Sequence, residues 1–395
     1  MADHDENNDP STKSMGDASG PFGWSRRCDP TMPHQDDETL PDADEQKKGD
    51  VELEKRYTMI LAQPEIGEFT RYQVQKRLGL GSQAIVMLCG RRSADGFDHP
   101  LALKIFSPGL YGRDARYLVD MARMGSVMNR IANIQHDNLV GIRLWTSCDE
   151  IRMLEMEWID GLDLRVLMQL KTFGRLEACP DVGEREHLMK VVVRRGAKQS
   201  YLTPGIAMAI IRDCLAGLAS LHDANIVHND VKPSNIMVKK TGKVKLIDVG
   251  AAEGLGDPPP VHHLCTACYA APEYLEKHQA IPQSDVASLG YVLVELLTGR
   301  PPFSVKCDER KLIELKREFV GTLDSILPED VRESRILMDF LRRMVTHDLN
   351  ERFQNAGEAD LALRCGAAEF QRELVRSNLA TEYTQELRRW LAVIR

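Results

Sequence analysis

The chain changes texture at Gly161, and that change limits its architecture more than any other feature. Before it lie short apolar runs. Tyr72 and Val74 alternate with polar residues as in a half-buried strand and lead into Leu78-Gly79-Leu80-Gly81. Residues 84–88 and 101–106 continue as strands, residues 114–133 read as a helix, and 139–145 and 152–159 add two more strands. Order is expected to begin near Phe69. Beyond Gly161 the pattern is long helices. Thr203 as N-cap and Pro204 in the first turn open one that carries Ile206, Ile210, Cys214, Leu215, Leu218 and Leu221 at helical spacing. A second starts at Ser284-Asp285 and stops at Gly299, before Pro301-Pro302. Residues 165–200 read as a helix plus an insertion. The expected class is α+β, with a small β-rich N-lobe over residues 65–159 and a larger α-helical C-lobe over 160–365. The amphipathic stripe Leu387, Trp390, Leu391 and Ile394 marks a C-terminal helical extension over 366–395, expected to pack on the large lobe.

Charge is segregated. The first fifty residues hold 13 acids and 5 bases, so the whole net charge of −8 sits there and the rest is neutral. Residues 1–64, rich in Asp, Glu, Pro, Ser and Gly, are expected to form a disordered acidic tail. A neutral folded part offers no basic face for nucleic acid or an anionic membrane. The N-terminus is acidic where a secretory signal is basic and then apolar, and no stretch reads as a membrane span, so the expected setting is cytoplasmic with no membrane partner. Nine scattered cysteines read as reduced thiols. Thr31 and Thr39 lie in the tail, Thr39 within Asp36-Asp37-Glu38-Thr39-Leu40-Pro41-Asp42. Beside the plain reading of a solvated linker stands that of a phosphorylated threonine that docks a phosphothreonine-reading partner.

The residues that carry chemistry form one ordered series. Gly79 and Gly81 sit between two strands, where a backbone without side chains can approach a phosphate. Lys104 follows within an apolar strand, where an ammonium is costly unless it meets an anion. Then come His228-Asn229-Asp230-Val231-Lys232-Pro233-Ser234-Asn235 and Asp248-Val249-Gly250. Phosphoryl transfer requires a carboxylate to orient the attacking hydroxyl. It also requires a carboxylate and an amide oxygen for a divalent cation, and cations to offset developing charge. Asp230, Asp248, Asn235, Lys232 and Lys104 supply them.

This series resembles the serine/threonine protein-kinase family over roughly residues 69–365. Further marks are Thr266 before Tyr269-Ala270-Ala271-Pro272-Glu273, the run from Ser284 to Gly290, Gly299-Arg300-Pro301-Pro302-Phe303, and Arg352. The resemblance implies the bilobal protein-kinase fold, ATP and Mg²⁺ as cofactors, and protein Ser/Thr hydroxyls as acceptors. It implies that Asp230 is the catalytic base and that Lys232 and Lys104 serve the phosphates, with Asn235 and Asp248 as the metal ligands. The ATP-binding set it implies is Leu78, Gly79, Gly81, Val86, Ala102, Lys104, Met156, Glu157, Ile159, Asp163 and Met237, with Met156 as gatekeeper. Glu273 and Arg352 correspond to a structural ion pair, and Thr266 to the substrate-binding segment. A small-molecule phosphotransferase shares the Asp230 and Asp248 elements but not the Ala271-Pro272-Glu273 segment.

The chain departs from the pattern at four positions. The family's helix glutamate falls at about Val127, and no Asp or Glu occurs from 121 to 136; Asp120 is the nearest acid. The alternative function is therefore a pseudokinase that binds nucleotide and works as a scaffold. Asn229 replaces the arginine that receives an activation-segment phosphate, so switching by such a phosphate is not expected. Val249 and Ala84 replace a phenylalanine and a glycine. Cys265 and Cys268 have the spacing of a metal or redox pair yet fall in the activation segment, where structural thiols are expected.

Overall fold

Alternation of apolar and polar residues builds the small lobe. The chain is described by a computed structural model over residues 52–67, 70–81, 83–92, 98–304 and 307–395. Six strands form one sheet: β1 (Glu65–Ile66), β2 (Tyr72–Leu80), β3 (Ala84–Arg92), β4 (Asp98–Phe106), β5 (Ile142–Cys148) and β6 (Ile151–Glu157), in the order β1-β2-β3-β4-β6-β5. The named pairs are antiparallel, as short connections allow. Helix α1 (Asp114–Ala132) crosses between β4 and β5 and buries Tyr117, Met121, Met124, Val127, Met128 and Ile131.

One segment departs from the expected tail. Residues Glu52–Leu61 form a helix, with Leu53 and Ile60 buried and Arg56 paired to Glu150. Leu53, Tyr57 and Ile60 recur at helical spacing, so ten residues at the tail's end own an apolar face although the 64-residue average is polar. Thr31, Thr39 and Phe69 lie outside the described residues.

The large lobe is built on two apolar helices, α2 (Pro204–Asp223) and α3 (Pro282–Thr298). By length and composition α2 is apolar enough to cross a membrane, contrary to the sequence reading. Ile206, Ile210, Cys214, Leu215, Leu218 and Leu221 are nevertheless fully buried, which is what a central core helix requires. Thr203 stands at the N-cap position of α2, but its hydroxyl donates to Val191 O (2.6 Å) rather than capping the helix. Gly299 ends α3 with φ of 65°, a left-handed turn in which glycine carries no Cβ penalty.

The insertion resolves into helices, including α4 (Leu170–Glu177) and α5 (Val182–Val191), and its partner is the end of the chain. The terminal helix α6 (Tyr383–Ile394) buries Leu387, Trp390, Leu391 and Ile394 in the large lobe. Arg389 pairs with Glu184, His187 Nε2 meets Glu386 Oε2 at 2.8 Å, and Arg175 donates to Ile394 O at 2.9 Å. The stripe therefore packs within its own chain.

Candidate active site

The groups named above are carried by the strands of the small lobe and by the loops and short strands that follow them. Strands β2 and β3 place Gly79 opposite Val86, and Gly81 N donates to Ala84 O (3.0 Å) to close the hairpin. A Cβ built on Gly79 meets nothing within 4 Å, so space above this strand is open. Leu78 is exposed at its mouth and Ser82 lies outside the described residues. Ala102 faces Met156 across β4 and β6, both buried. Past the end of β6, Ile159 is buried too.

A three-stranded sheet of β7 (Gly161–Asp163), β8 (Ile236–Lys239) and β9 (Val244–Leu246) sets Met237 opposite Asp163. Asp163 Oδ1 accepts from Val166 N at 2.9 Å and caps the next turn, and burial pushes its carboxyl up. The side chain of Glu157 is engaged inside the protein. Its carboxylate accepts from Gly141 N (2.7 Å) and pairs with Lys245, and its backbone N–H donates to Gly141 O (2.8 Å).

The loop that carries Asp230 is held from below by a buried carboxylate. Asp285 on α3 accepts from His228 N (2.8 Å) and Asn229 N (2.9 Å) and meets His222 Nε2 (3.0 Å). Asn229 has φ of 63°, a left-handed conformation that asparagine tolerates better than branched residues do. Asp230 then collects four contacts. Its Oδ1 accepts from Thr266 Oγ1 (2.8 Å), its Oδ2 accepts from Asn235 Nδ2 (2.9 Å) and pairs with Lys232 Nζ (2.6 Å), and its carbonyl accepts from Asn235 Nδ2 (2.8 Å). Lys232 Nζ also donates to Thr266 Oγ1 at 2.8 Å. The segment that carries Thr266 is thereby tied to Asp230.

Lys104, almost fully buried, pairs with Asp248. Burial alone would raise the Asp248 carboxyl, but the Lys104 ammonium beside it holds it below the usual carboxylate range. Val127, at the family's glutamate position, is fully buried among apolar neighbours. Asp120 does not substitute: it accepts from Tyr111 OH (2.9 Å), Arg123 Nε (2.9 Å) and Val261 N (3.3 Å). It thus joins α1 to the activation segment. Asn229 Nδ2 donates to Ala251 O (3.2 Å) and Glu253 Oε1 (2.9 Å), and Arg130 pairs with Asp257 at 2.9 Å. Side chains of the protein itself fasten this segment, consistent with the loss of the phosphate-receiving arginine.

A Cβ on Gly250 would stand 2.5 Å from Lys104 Nζ and 3.1 Å from Asp248 Oδ1 and from Gln83 Oε1. Gln83, at the turn between β2 and β3, thus reaches the same space, a placement that no local sequence pattern gives. Gly250→Ala is expected to displace Lys104 and lower phosphotransfer by about 10²-fold. Initial rates, with ATP-induced thermal shift as the control for binding, check this. Cys265 and Cys268 are free thiols, and burial pushes Cys265 up to about 11. Among the described residues no three His, Cys, Asp or Glu groups cluster to hold a metal ion.

Comparison with known proteins agrees with this geometry. The sequence model of the protein kinase domain matches residues 72–360. Serine/threonine-protein kinase PknL of Mycobacterium bovis is 32% identical over 244 residues, which is 60% of this chain and 51% of that protein. Probable serine/threonine-protein kinase PknB of Lactococcus lactis is 25% identical over 293 residues, 73% of this chain and 40% of that protein. Serine/threonine-protein kinase PrkC of Bacillus subtilis is 28% identical over 236 residues, 59% of this chain and 31% of that protein. The matches span about half or less of these relatives. With the bilobal α+β fold and the assembled Asp230 site, the match over residues 72–360 makes this chain a member of the protein kinase family.

Proposed function

We propose that the chain transfers the γ-phosphoryl group of ATP to serine and threonine hydroxyls of proteins. The observation that carries this reading is the convergence of Thr266, Lys232 and Asn235 on Asp230, with the Lys104–Asp248 pair completing the cleft. Asp230 accepts the proton of the incoming hydroxyl, and Lys232 offsets charge on the transferred group. Lys104 holds the phosphates of the nucleotide, and its bond to Asp248 fixes its position where the family uses a helix glutamate.

The donors offered to a cation fit a hard divalent ion. Asn235 spends its amide nitrogen on Asp230, so its carbonyl oxygen remains, with the Asp248 carboxylate, as an oxygen donor. An all-oxygen set suits Mg²⁺, which when bound supplies charge neutralisation at the β- and γ-phosphates. The free thiols among the described residues support a reducing, cytoplasmic setting. Incubation with labelled ATP, MgCl₂ and histone, followed by phosphoamino acid analysis, tests the reading. Label on phosphoserine and phosphothreonine is expected; ATP binding without transfer would replace the enzyme with a nucleotide-binding scaffold.

A further inference from the structure

Helix α7 (Glu309–Glu318) carries charge on nearly every exposed position and turns two residues, Leu312 and Lys316, fully inward. An apolar side chain four residues after Leu312 would complete the buried face at far lower cost than an ammonium. Lys316 instead stands with no exposed surface, its Nζ 4.2 Å from the Tyr291 ring centre and 4.1 Å from that of Phe303. Aromatic faces stabilise a cation through their negative quadrupole. Its hydrogen-bond acceptor is the carbonyl of Cys268, at 2.9 Å.

That carbonyl lies in the middle of the segment 266–269, whose ends are fixed elsewhere. Thr266 is bonded to Asp230 and Lys232, and the Tyr269 hydroxyl donates to Glu295 on α3. Neither Lys104 nor Asp248 hydrogen-bonds to this segment, whereas Thr266 within it hydrogen-bonds to the Asp230 carboxylate that an acceptor hydroxyl must reach. We propose that Lys316 is a positioning residue for the protein acceptor, its buried ammonium holding the Cys268 carbonyl and with it the wall against which the acceptor lies. The inference rests on the phosphotransfer reading given above.

Protonation enters because burial pushes Lys316 down to about 7, with the nearby Cys268 and Cys265 sulfurs and Glu273 favouring the charged form. The titratable groups facing it are Cys265 and Cys268 of the segment, Glu273 of the helix Pro272–Lys277, and Tyr291 of α3. Glu273 is already paired with Arg352, and Cys307 and Glu295 face Cys268. As pH rises through neutrality the ammonium loses its proton and with it the attraction to the two rings, and its bond to the carbonyl falls to that of a neutral donor.

Steady-state kinetics with histone and MgATP on the full chain and on Lys316→Met test this. The variant is expected to raise KM for histone about tenfold, the loss of one charge-assisted bond, with KM for ATP within about twofold of wild type. Between about pH 6 and about pH 8 the wild-type KM for histone should climb, while that of the variant stays flat. Lys316→Gln, which keeps a neutral donor, is expected to recover part of the low-pH affinity without the pH dependence, and it carries the test should Lys316→Met fail to fold. An unchanged histone KM, or equal rises for histone and ATP, would overturn the proposal. Absence of any transfer by wild type would instead remove the functional reading, and this inference with it.

Discussion

Replacing Asp230 with asparagine is expected to lower phosphotransfer by about 10³-fold while ATP binding and folding stay intact. The substitution keeps the shape of the side chain and an oxygen for the Thr266 hydroxyl, 2.8 Å away in the wild type. On the proposed mechanism it removes the basic oxygen that would receive the proton of the acceptor hydroxyl, a contribution of about 10²- to 10⁴-fold in general base catalysis. It also leaves Lys232, 2.6 Å from Oδ2 in the wild type, without a counter-charge. Initial rates of label transfer, beside an ATP-induced thermal shift, separate loss of chemistry from loss of binding. A rate within about tenfold of wild type would mean that Asp230 does not act as the base.

Arg352→Leu is expected to cost about 3–5 kcal/mol of stability, because it strands a buried carboxylate. Arg352 has no exposed surface. It pairs with Glu273 at 2.7 Å and donates to Thr346 O (2.8 Å) and Gln283 O (3.1 Å). Ser284 Oγ, at 2.8 Å from Glu273, cannot neutralise the charge that remains. Removing both partners costs less than removing one, since no uncompensated charge is left in the core. Urea unfolding of Arg352→Leu and of the double variant Arg352→Leu/Glu273→Leu checks this order. A single variant as stable as wild type would show that the pair does not brace the large lobe.

The sequence was most legible where one local pattern decides the structure. The strand alternation at Tyr72 and Val74, the apolar spacing of the helix Pro204–Asp223 and the stop at Gly299 are each written in neighbouring residues. The Asp230 loop was legible because its chemistry needs fixed residue types at fixed spacing. What stayed hidden depends on distant partners. The helix Glu52–Leu61 was lost in a polar average, and only its packing beside β6 shows why Leu53 and Ile60 are apolar. The insertion and the terminal helix complete each other across 205 residues, from Glu184 to Arg389, a pairing that no local periodicity records. The pairing of the Glu157 carboxylate with Lys245, 88 residues on, is likewise absent from any local pattern. Lys316 reads as one more surface charge on a charged helix; its ring cage comes from Tyr291 on α3 and from Phe303 in the connection before α7, neither of which shows in the periodicity of the helix itself.

The departure at Val127 bears most directly on activity. In this structure Asp248 holds the Lys104 ammonium, and Asp120 serves the activation segment instead. The site should therefore transfer phosphate without a helix carboxylate. Intact-protein mass of the chain and of added histone after incubation with Mg-ATP, run beside Asp230→Asn, measures this most directly. The expected result is a gain of phosphoryl mass with wild type and none with the variant. ATP binding by thermal shift with no mass gain on either protein would contradict it, and would mean that the cleft holds a nucleotide without using it.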